Sequence, residues 1–276
     1  MSRIWLVTGA NSGFGRAVTE AAVAAGDTVV AAARRPESLG DLVAAHPDRI
    51  EAVRLDVTDA AGIETVVTEL VARHGRVDVL VNNAGRTHVG ALEETTDAEL
   101  RALFDVHVFG PAALVRAVLP HMRARRSGAI VQLSSMGGRM SFAGFSAYSG
   151  TKFALEGMSE ALADEVRPFG IKVLVVEPGA FRTGLMGAAG ASAEIAAYSE
   201  GAVGTTRRMV GAADGQQPGD PAKAAAAILA ALADEATPLN LPLGADAVDA
   251  IVGRLDTLRS EIEAWEKVAR ATTFDA

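Results

Sequence analysis

Tyr148 and Lys152 stand four residues apart in a stretch patterned as a helix, so both side chains leave the same face. A free tyrosine has a pKa near ~10 and is a poor acid or base at neutral pH. A lysine ammonium one turn away stabilises the phenolate and is expected to lower that pKa, which suits the phenol to general acid–base work. Ser134-Ser135 closes an apolar run, and Ser135 lies 13 residues before Tyr148. Open α/β sheets bind ligands at the carboxyl ends of their strands, so a serine hydroxyl is expected beside the pair. Tyr-x-x-x-Lys alone also describes an ordinary pair on a helix surface, so its surroundings decide.

A second group has a different chemistry. Thr8-Gly9-Ala10-Asn11-Ser12-Gly13-Phe14-Gly15 follows the first apolar run and opens a helical pattern. Glycines let a backbone approach a pyrophosphate, and the helix start offers free N–H groups and partial positive charge. The spacing is Gly-x-x-x-Gly-x-Gly; its place after a first strand favours a phosphate cradle over a ligand-free tight turn.

Both groups need a scaffold that brings them together. Short, nearly continuous apolar runs at 3–8, 28–33, 50–55, 77–81, 129–133 and 171–176 read as parallel strands buried on both faces. Helical patterns lie between them at about 14–25, 37–45, 59–74, 97–124 and 147–167. This alternation predicts an α/β fold, a doubly wound parallel sheet in a three-layer α/β/α arrangement. No repeat or linker is visible, so residues 1–276 are expected to form one domain. Residues 179–219 are rich in small residues and poor in large apolar ones, which predicts a structureless lid or binding loop over about 180–219. Asp220-Pro221 then reads as an N-cap with proline at N1, opening a helix to about 234. A short strand near 238–242 and a helical extension at about 245–269 follow. In that extension Leu255, Leu258, Ile262 and Trp265 fall at helical spacing, a stripe for core or subunit packing.

Composition narrows the function classes. The chain of 276 residues has 26 Lys+Arg against 34 Asp+Glu, a net charge of −8, which argues against a nucleic-acid or anionic-membrane surface. With no cysteine there is no disulfide framework, cysteine zinc site or thiol catalyst. The histidines show no paired metal spacing. The apolar run before Thr8 is shorter than a signal core, and the Ala-rich stretch 224–233 is too short to span a bilayer. A cytoplasmic protein is the expectation.

Taken together, the motifs resemble the short-chain dehydrogenase/reductase family, in its branch of a single Rossmann-type domain. The resemblance rests on the glycine turn 8–15, Asp56-Val57, Asn82-Asn83-Ala84-Gly85, Ser135, Tyr148-x-x-x-Lys152 and Pro178-Gly179 followed by Thr183. It covers residues 4 to about 183, roughly two-thirds of the chain, in family order and spacing.

The resemblance implies roles. Tyr148 would be the general acid in carbonyl reduction and the base in alcohol oxidation, and Lys152 would bind the nicotinamide ribose and tune Tyr148. Ser135 would hold the substrate oxygen. Thr8, Gly9, Asn11, Ser12, Gly13, Phe14 and Gly15 would form the pyrophosphate turn. Asp56 and Val57 would contact the adenine, with Asn83, Ala84 and Gly85 bordering the adenosine ribose. Thr183 and the backbone near Pro178-Gly179 would hold the carboxamide end, with Phe181 also in the cofactor set. NAD-preferring relatives place an aspartate at the end of the second strand; here Ala33 stands there, followed by Arg34 and Arg35. An arginine at that point can pair with a ribose 2′-phosphate, so NADP(H) is preferred and NAD(H) is allowed.

One position departs from the family pattern. Where many relatives have asparagine in Asn-x-x-Gly, this chain has His107-Val108-Phe109-Gly110. The family asparagine holds a water in a proton relay; an imidazole can also bond water, so His107 joins the catalytic candidates. Met136, Phe142, Phe145, Phe181, Leu185, Met186 and Tyr198 are the substrate-pocket candidates. The function implied is hydride transfer between NADP(H) and a ketone or aldehyde, or its secondary alcohol. The alternatives are a cofactor-binding regulatory protein without turnover, and a dehydratase or epimerase on the same scaffold. Family members commonly assemble through the helices near 97–124 and 147–167, so a homodimer or homotetramer is expected.

Overall fold

Valine- and alanine-rich runs make up most of the central sheet, because β-branched residues fit a pleated surface covered on both sides. The computed structural model describes residues 2–274. In chain order the first half comprises β1 (Ile4–Thr8), α1 (Gly13–Ala24), β2 (Thr28–Ala33), α2 (Gly40–Ala45), β3 (Ile50–Arg54), α3 (Ala60–His74), β4 (Val79–Asn82), β5 (His88–Val89) and α4 (Asp97–Phe104). There follow α5 (Gly110–Arg125), β6 (Gly128–Leu133), α6 (Ser146–Val166), β7 (Ile171–Pro178), β8 (Gly190–Ala191), α7 (Ala196–Ser199), α8 (Gly201–Ala213), α9 (Pro221–Ala233), β9 (Asn240–Leu243) and α10 (Ala245–Arg270).

Seven strands pair in parallel in the order β3-β2-β1-β4-β6-β7-β9. This is the expected doubly wound, Rossmann-like sheet with helices on both faces. The period of two along each strand divides the core. Trp5, Val7, Val29, Val131 and Val176 pack with Val18, Ala22, Ala225 and Ile228 on one side. Leu6, Val30, Leu80 and Ile130 pack with Ile63, Leu70, Leu114 and Val118 on the other.

Helix boundaries follow local chemistry. Asp59 caps α3 by accepting the Ala61 N–H, and Gly75 ends it at φ +72°. Thr96 and Glu99 form a capping box at the start of α4. The single helix expected over 97–124 is interrupted: Asp105–Phe109 forms a wide π-helical turn between α4 and α5. Asp97–Arg125 is, among the described residues, the stretch long and apolar enough to cross a membrane, yet half of its most apolar window is buried.

The stretch expected to be structureless is also more ordered than its composition suggests. Within 179–219, β8 pairs in parallel with β5, and α7 and α8 follow. Polar contacts, invisible to apolar periodicity, hold this segment. Arg207 Nη2 lies 2.6 Å from Glu94 Oε2, the Ile195 N–H donates to Glu94 Oε1 at 2.9 Å, and Ser192 Oγ lies 2.7 Å from His88 Nε2. The C-terminal stripe does not enter the core. Ile251 is buried, whereas Leu255, Ile262 and Trp265 face outward.

Candidate active site

The carboxyl ends of β1, β4, β6 and β7 open onto a cavity of about 850 Å³. On one side lies the glycine turn. Gly9 (φ +63°) and Gly13 (φ +52°) take left-handed conformations that favour glycine. A Cβ at Gly9 would stand 2.9 Å from Asn83 Nδ2, and one at Gly15 would run into the Gly9 carbonyl. Ser12 precedes α1 with an extended backbone and no side-chain cap, leaving the first amides of the helix available to an anion. Asn11, Ser12, Gly13 and Phe14 line the cavity. Phe14 packs at a tilt against Phe181 with ring centroids 5.0 Å apart, and both rings line the cavity.

Thr8, expected among the cofactor contacts, instead lies beneath the turn. Its Oγ1 accepts the N–H groups of Asn83 and Ala84, both at 3.0 Å, and tethers β1 to β4. Asn83 Nδ2 returns the tie by donating to the Thr8 and Gly9 carbonyls at 2.8 and 3.1 Å. Gly15 is likewise off the cavity wall and serves the close approach of helix and turn.

Asp56, Val57, Asn83, Ala84 and Gly85 form the next stretch of wall. The Thr58 N–H and hydroxyl hold the Asp56 carboxyl below its ordinary pKa, helped by the Arg34 charge. Gly110 lets α5 start against this wall: a Cβ there would lie 2.5 Å from the Val57 carbonyl. Ala33 and Arg34 reach the cavity; Arg35 is exposed and does not line it.

The opposite end holds Ser135, Tyr148 and Lys152. Ser135 caps the turn after β6, its Oγ accepting the Gly137 N–H at 3.0 Å. Lys152 Nζ donates to the Leu133 carbonyl at 2.7 Å and lies 5.8 Å from the Tyr148 ring centroid. Desolvation brings the ammonium down to about 8 despite the pull of Glu156. The Tyr148 phenol departs from expectation: desolvation raises its pKa, with Ser135 opposing. Tyr148 therefore rests as a proton-bearing acid.

His107 is buried at the wide turn, with both ring nitrogens spent on protein. Nε2 accepts the Arg86 N–H at 3.1 Å, and Nδ1 lies 2.8 Å from Thr151 Oγ1, so the proton sits on Nδ1. Burial, then the Lys152 and Arg86 charges, push its pKa well below the usual value. Both ring nitrogens are thus bonded to protein, and the ring packs edge-on against Tyr148 at 5.7 Å between centroids.

Met136, Phe142, Phe145, Leu185 and Met186 line the cavity near Tyr148, as do Pro178, Gly179 and Thr183. Tyr198 does not: its hydroxyl donates to Glu93 at 2.7 Å on an exposed part of the lid. Several residues escaped the sequence reading. Thr151 and Glu156 share α6 with the Tyr-Lys pair, and Glu156, four residues after Lys152, was accessible from spacing. Desolvation raises Glu156 to about 7, with Glu177 alongside adding to the rise. Asp246, which accepts the Ala180 N–H at 2.7 Å and borders the cavity, had no sequence signal.

The short chain dehydrogenase family model matches residues 3–194. Oxidoreductase BOA17 of Botryotinia fuckeliana is 37% identical over 276 residues, covering 99% of this chain and 100% of its own. The crystal structure of a short-chain dehydrogenase from Streptomyces avermitilis is 65% identical, covers 99% of this chain and 98% of its own, and superposes with a TM-score of 0.94. A Burkholderia phymatum short-chain dehydrogenase/reductase in complex with NAD has the same fold at 23% identity (TM-score 0.83, 94% and 95% coverage).

Proposed function

The chain belongs to the short-chain dehydrogenase family, and from that membership we propose that it reduces a ketone or aldehyde with NADPH and runs in reverse on secondary alcohols. The observation that carries this reading is the meeting of the glycine cradle with Ser135, Tyr148 and Lys152 around one cavity. The residues fit a nicotinamide dinucleotide: glycines whose Cβ would block the turn, uncapped α1 amides for the pyrophosphate, and the small residues Ala84 and Gly85 just after β4.

When bound, the nicotinamide supplies or accepts the hydride. The chain manages the proton. Tyr148, held protonated by its surroundings, gives its proton to the carbonyl oxygen in reduction and takes it back in oxidation. Ser135 bonds that oxygen and orients it. Lys152, an ammonium below about pH 8, holds the ribose hydroxyls and stabilises the phenolate left behind. His107 is a positioning residue, fixing the first turn of α6 through Thr151.

NADP(H) preference is supported by Ala33 in place of an acid and by Arg34 at the cavity, although the distant Burkholderia relative holds NAD. The walls formed by Met136, Phe142, Phe145, Leu185 and Met186 suit an apolar carbonyl compound. The test is a panel of carbonyls and alcohols followed at the nicotinamide absorbance with NADPH and NADH. Turnover of an apolar ketone with NADPH is expected. Nucleotide binding without turnover on the panel would instead favour a regulatory protein, and product formation without net nucleotide oxidation a dehydratase or epimerase.

A further inference from the structure

Helix α10 leaves the body of the protein after its first two turns. Ala247 and Ile251 are buried, but beyond them Leu255 is 46% exposed, Ile262 68% and Trp265 67%. These residues are not scattered. Val248, Ile251, Leu255, Leu258, Ile262, Trp265 and Ala269 recur at alternating intervals of three and four, the seam of a coiled coil. A row of large apolar side chains along a projecting helix marks an interaction surface.

The charges beside the seam identify its occupant. Arg254 and Glu261 flank one side, and Arg259 and Glu266 the other. In a parallel pair of identical helices, Arg254 would face the partner's Arg259, and Glu261 the partner's Glu266; every flanking contact would be repulsive. In an antiparallel pair centred on Ser260, Leu255 meets the partner's Trp265 and Leu258 the partner's Ile262. Arg254 then faces the partner's Glu261, and Arg259 the partner's Glu266, so every flanking contact is attractive. The centre of this charge pattern is also the centre of the stretch from Ile251 to Ala269, about 27 Å long at 1.5 Å per residue. Within one chain the same arginines make only loose contacts, Arg254 to Glu261 at 3.8 Å and Arg259 to Asp256 at 3.6 Å.

We propose that α10 is an oligomerisation helix that pairs antiparallel with α10 of a second copy of this chain. Most helical stability in proteins comes from packing of one face, and here the first turns of α10 are anchored by the buried Ala247 and Ile251. Large aromatic and aliphatic layers supply the attraction; the flanking charges set direction and exclude the parallel pair.

The test is sedimentation equilibrium of the full chain and three variants, with melting temperature as a folding control. Ile262→Glu, at an exposed position, is expected to lower the assembly by one pairing step while leaving the melting of the body unchanged. Arg259→Glu reverses two symmetry-related contacts and is expected to raise the dissociation constant roughly tenfold at low salt. Adding Glu266→Arg to it restores the attractive pairs and the affinity. A wild-type chain that sediments as a monomer, or an assembly indifferent to Ile262→Glu, overturns the proposal. Tighter association on Arg259→Glu would also overturn it, because that change helps only the parallel pair.

Discussion

His107 Nδ1 lies 2.8 Å from the Thr151 hydroxyl, and that hydroxyl donates to the Tyr148 carbonyl at 2.7 Å. The histidine thus reaches the backbone of the tyrosine through Thr151, as well as packing on its ring. It ties the wide turn before α5 to the first turn of α6, and through Nε2 to the loop after β4.

His107→Asn should therefore keep most of the activity, since an amide can still accept one bond and donate another. His107→Leu strands a buried Arg86 N–H, at about 1–3 kcal/mol of stability, and should lower turnover roughly tenfold. The pH–rate profile of the asparagine variant should match the parent, because the imidazole stays neutral near pH 7. A fully active, equally stable leucine variant would reduce His107 to filler.

Tyr148→Phe removes the proton donor while leaving the nucleotide cradle intact. Turnover should fall ~10²–10⁴-fold, with nucleotide affinity, read by fluorescence titration, nearly unchanged. Lys152→Ala should weaken both. Retention of half the rate by the phenylalanine variant, with chemistry rate-limiting, would point to another acid.

Arg34→Ala tests cofactor choice. A charge-assisted bond to the 2′-phosphate is worth ~1.5–3 kcal/mol, so NADP(H) affinity should fall roughly 10–100-fold and NAD(H) affinity hardly at all. Equal affinity of the unmutated enzyme for the two nucleotides would contradict the assignment.

Glu156 predicts a pH dependence of stability. Its folded pKa, about 7, exceeds the ordinary 4.5, so the folded state binds more protons in that interval and loses stability as pH rises through it. Glu156→Gln removes this titration; its melting temperature should fall less than the parent's between pH 5 and 8. The difference amounts to up to roughly 3 kcal/mol at about 1.36 kcal/mol per pKa unit. Glu177 lies beside Glu156 and shares its titration, so the contrast reads the pair, while Lys152 acts mainly above pH 8. Parallel melting curves would show that Glu156 does not carry it.

Arg207→Ala leaves the fully buried Glu94 carboxylate with only the Ala91 and Ile195 N–H groups. Breaking a buried pair costs about 3–5 kcal/mol. The loss should fall on the lid: faster limited proteolysis within 190–213 and a raised KM, with kcat changed less. Proteolysis and KM equal to those of the parent would deny the pair its anchoring role.

Much of this was readable in the sequence because parallel strands buried on both faces leave unbroken apolar runs, Gly9 and Ser135 follow strand ends, and Tyr148 and Lys152 stand one turn apart on α6. The ordering of the lid was not, since Arg207, Glu94 and Ser192 are brought together by contacts up to 113 residues apart. Tyr198 looked like a pocket residue for want of that information; a tyrosine among small residues has no periodicity to say which way it faces. The rise in the Tyr148 pKa was hidden for a related reason. Helical spacing reveals the neighbouring ammonium but not how completely the fold removes water from the phenol.

The wide turn at Asp105–Phe109 holds one residue more between α4 and α5 than a regular helix would. An α-helix advances about 100° per residue, and a π turn absorbs one residue more than an α turn. Deleting any one of those five residues would let the two helices fuse into a regular one. Because the wide turn already absorbs that residue, Leu114, Val118 and Met122 would keep facing the sheet, and the cost would fall on His107, whose ring reaches Thr151 from within the turn. The number of residues in this turn is thus as constrained as their identity: substitutions there are graded in effect, but the loss of one residue removes the wide turn that carries the support beneath Tyr148.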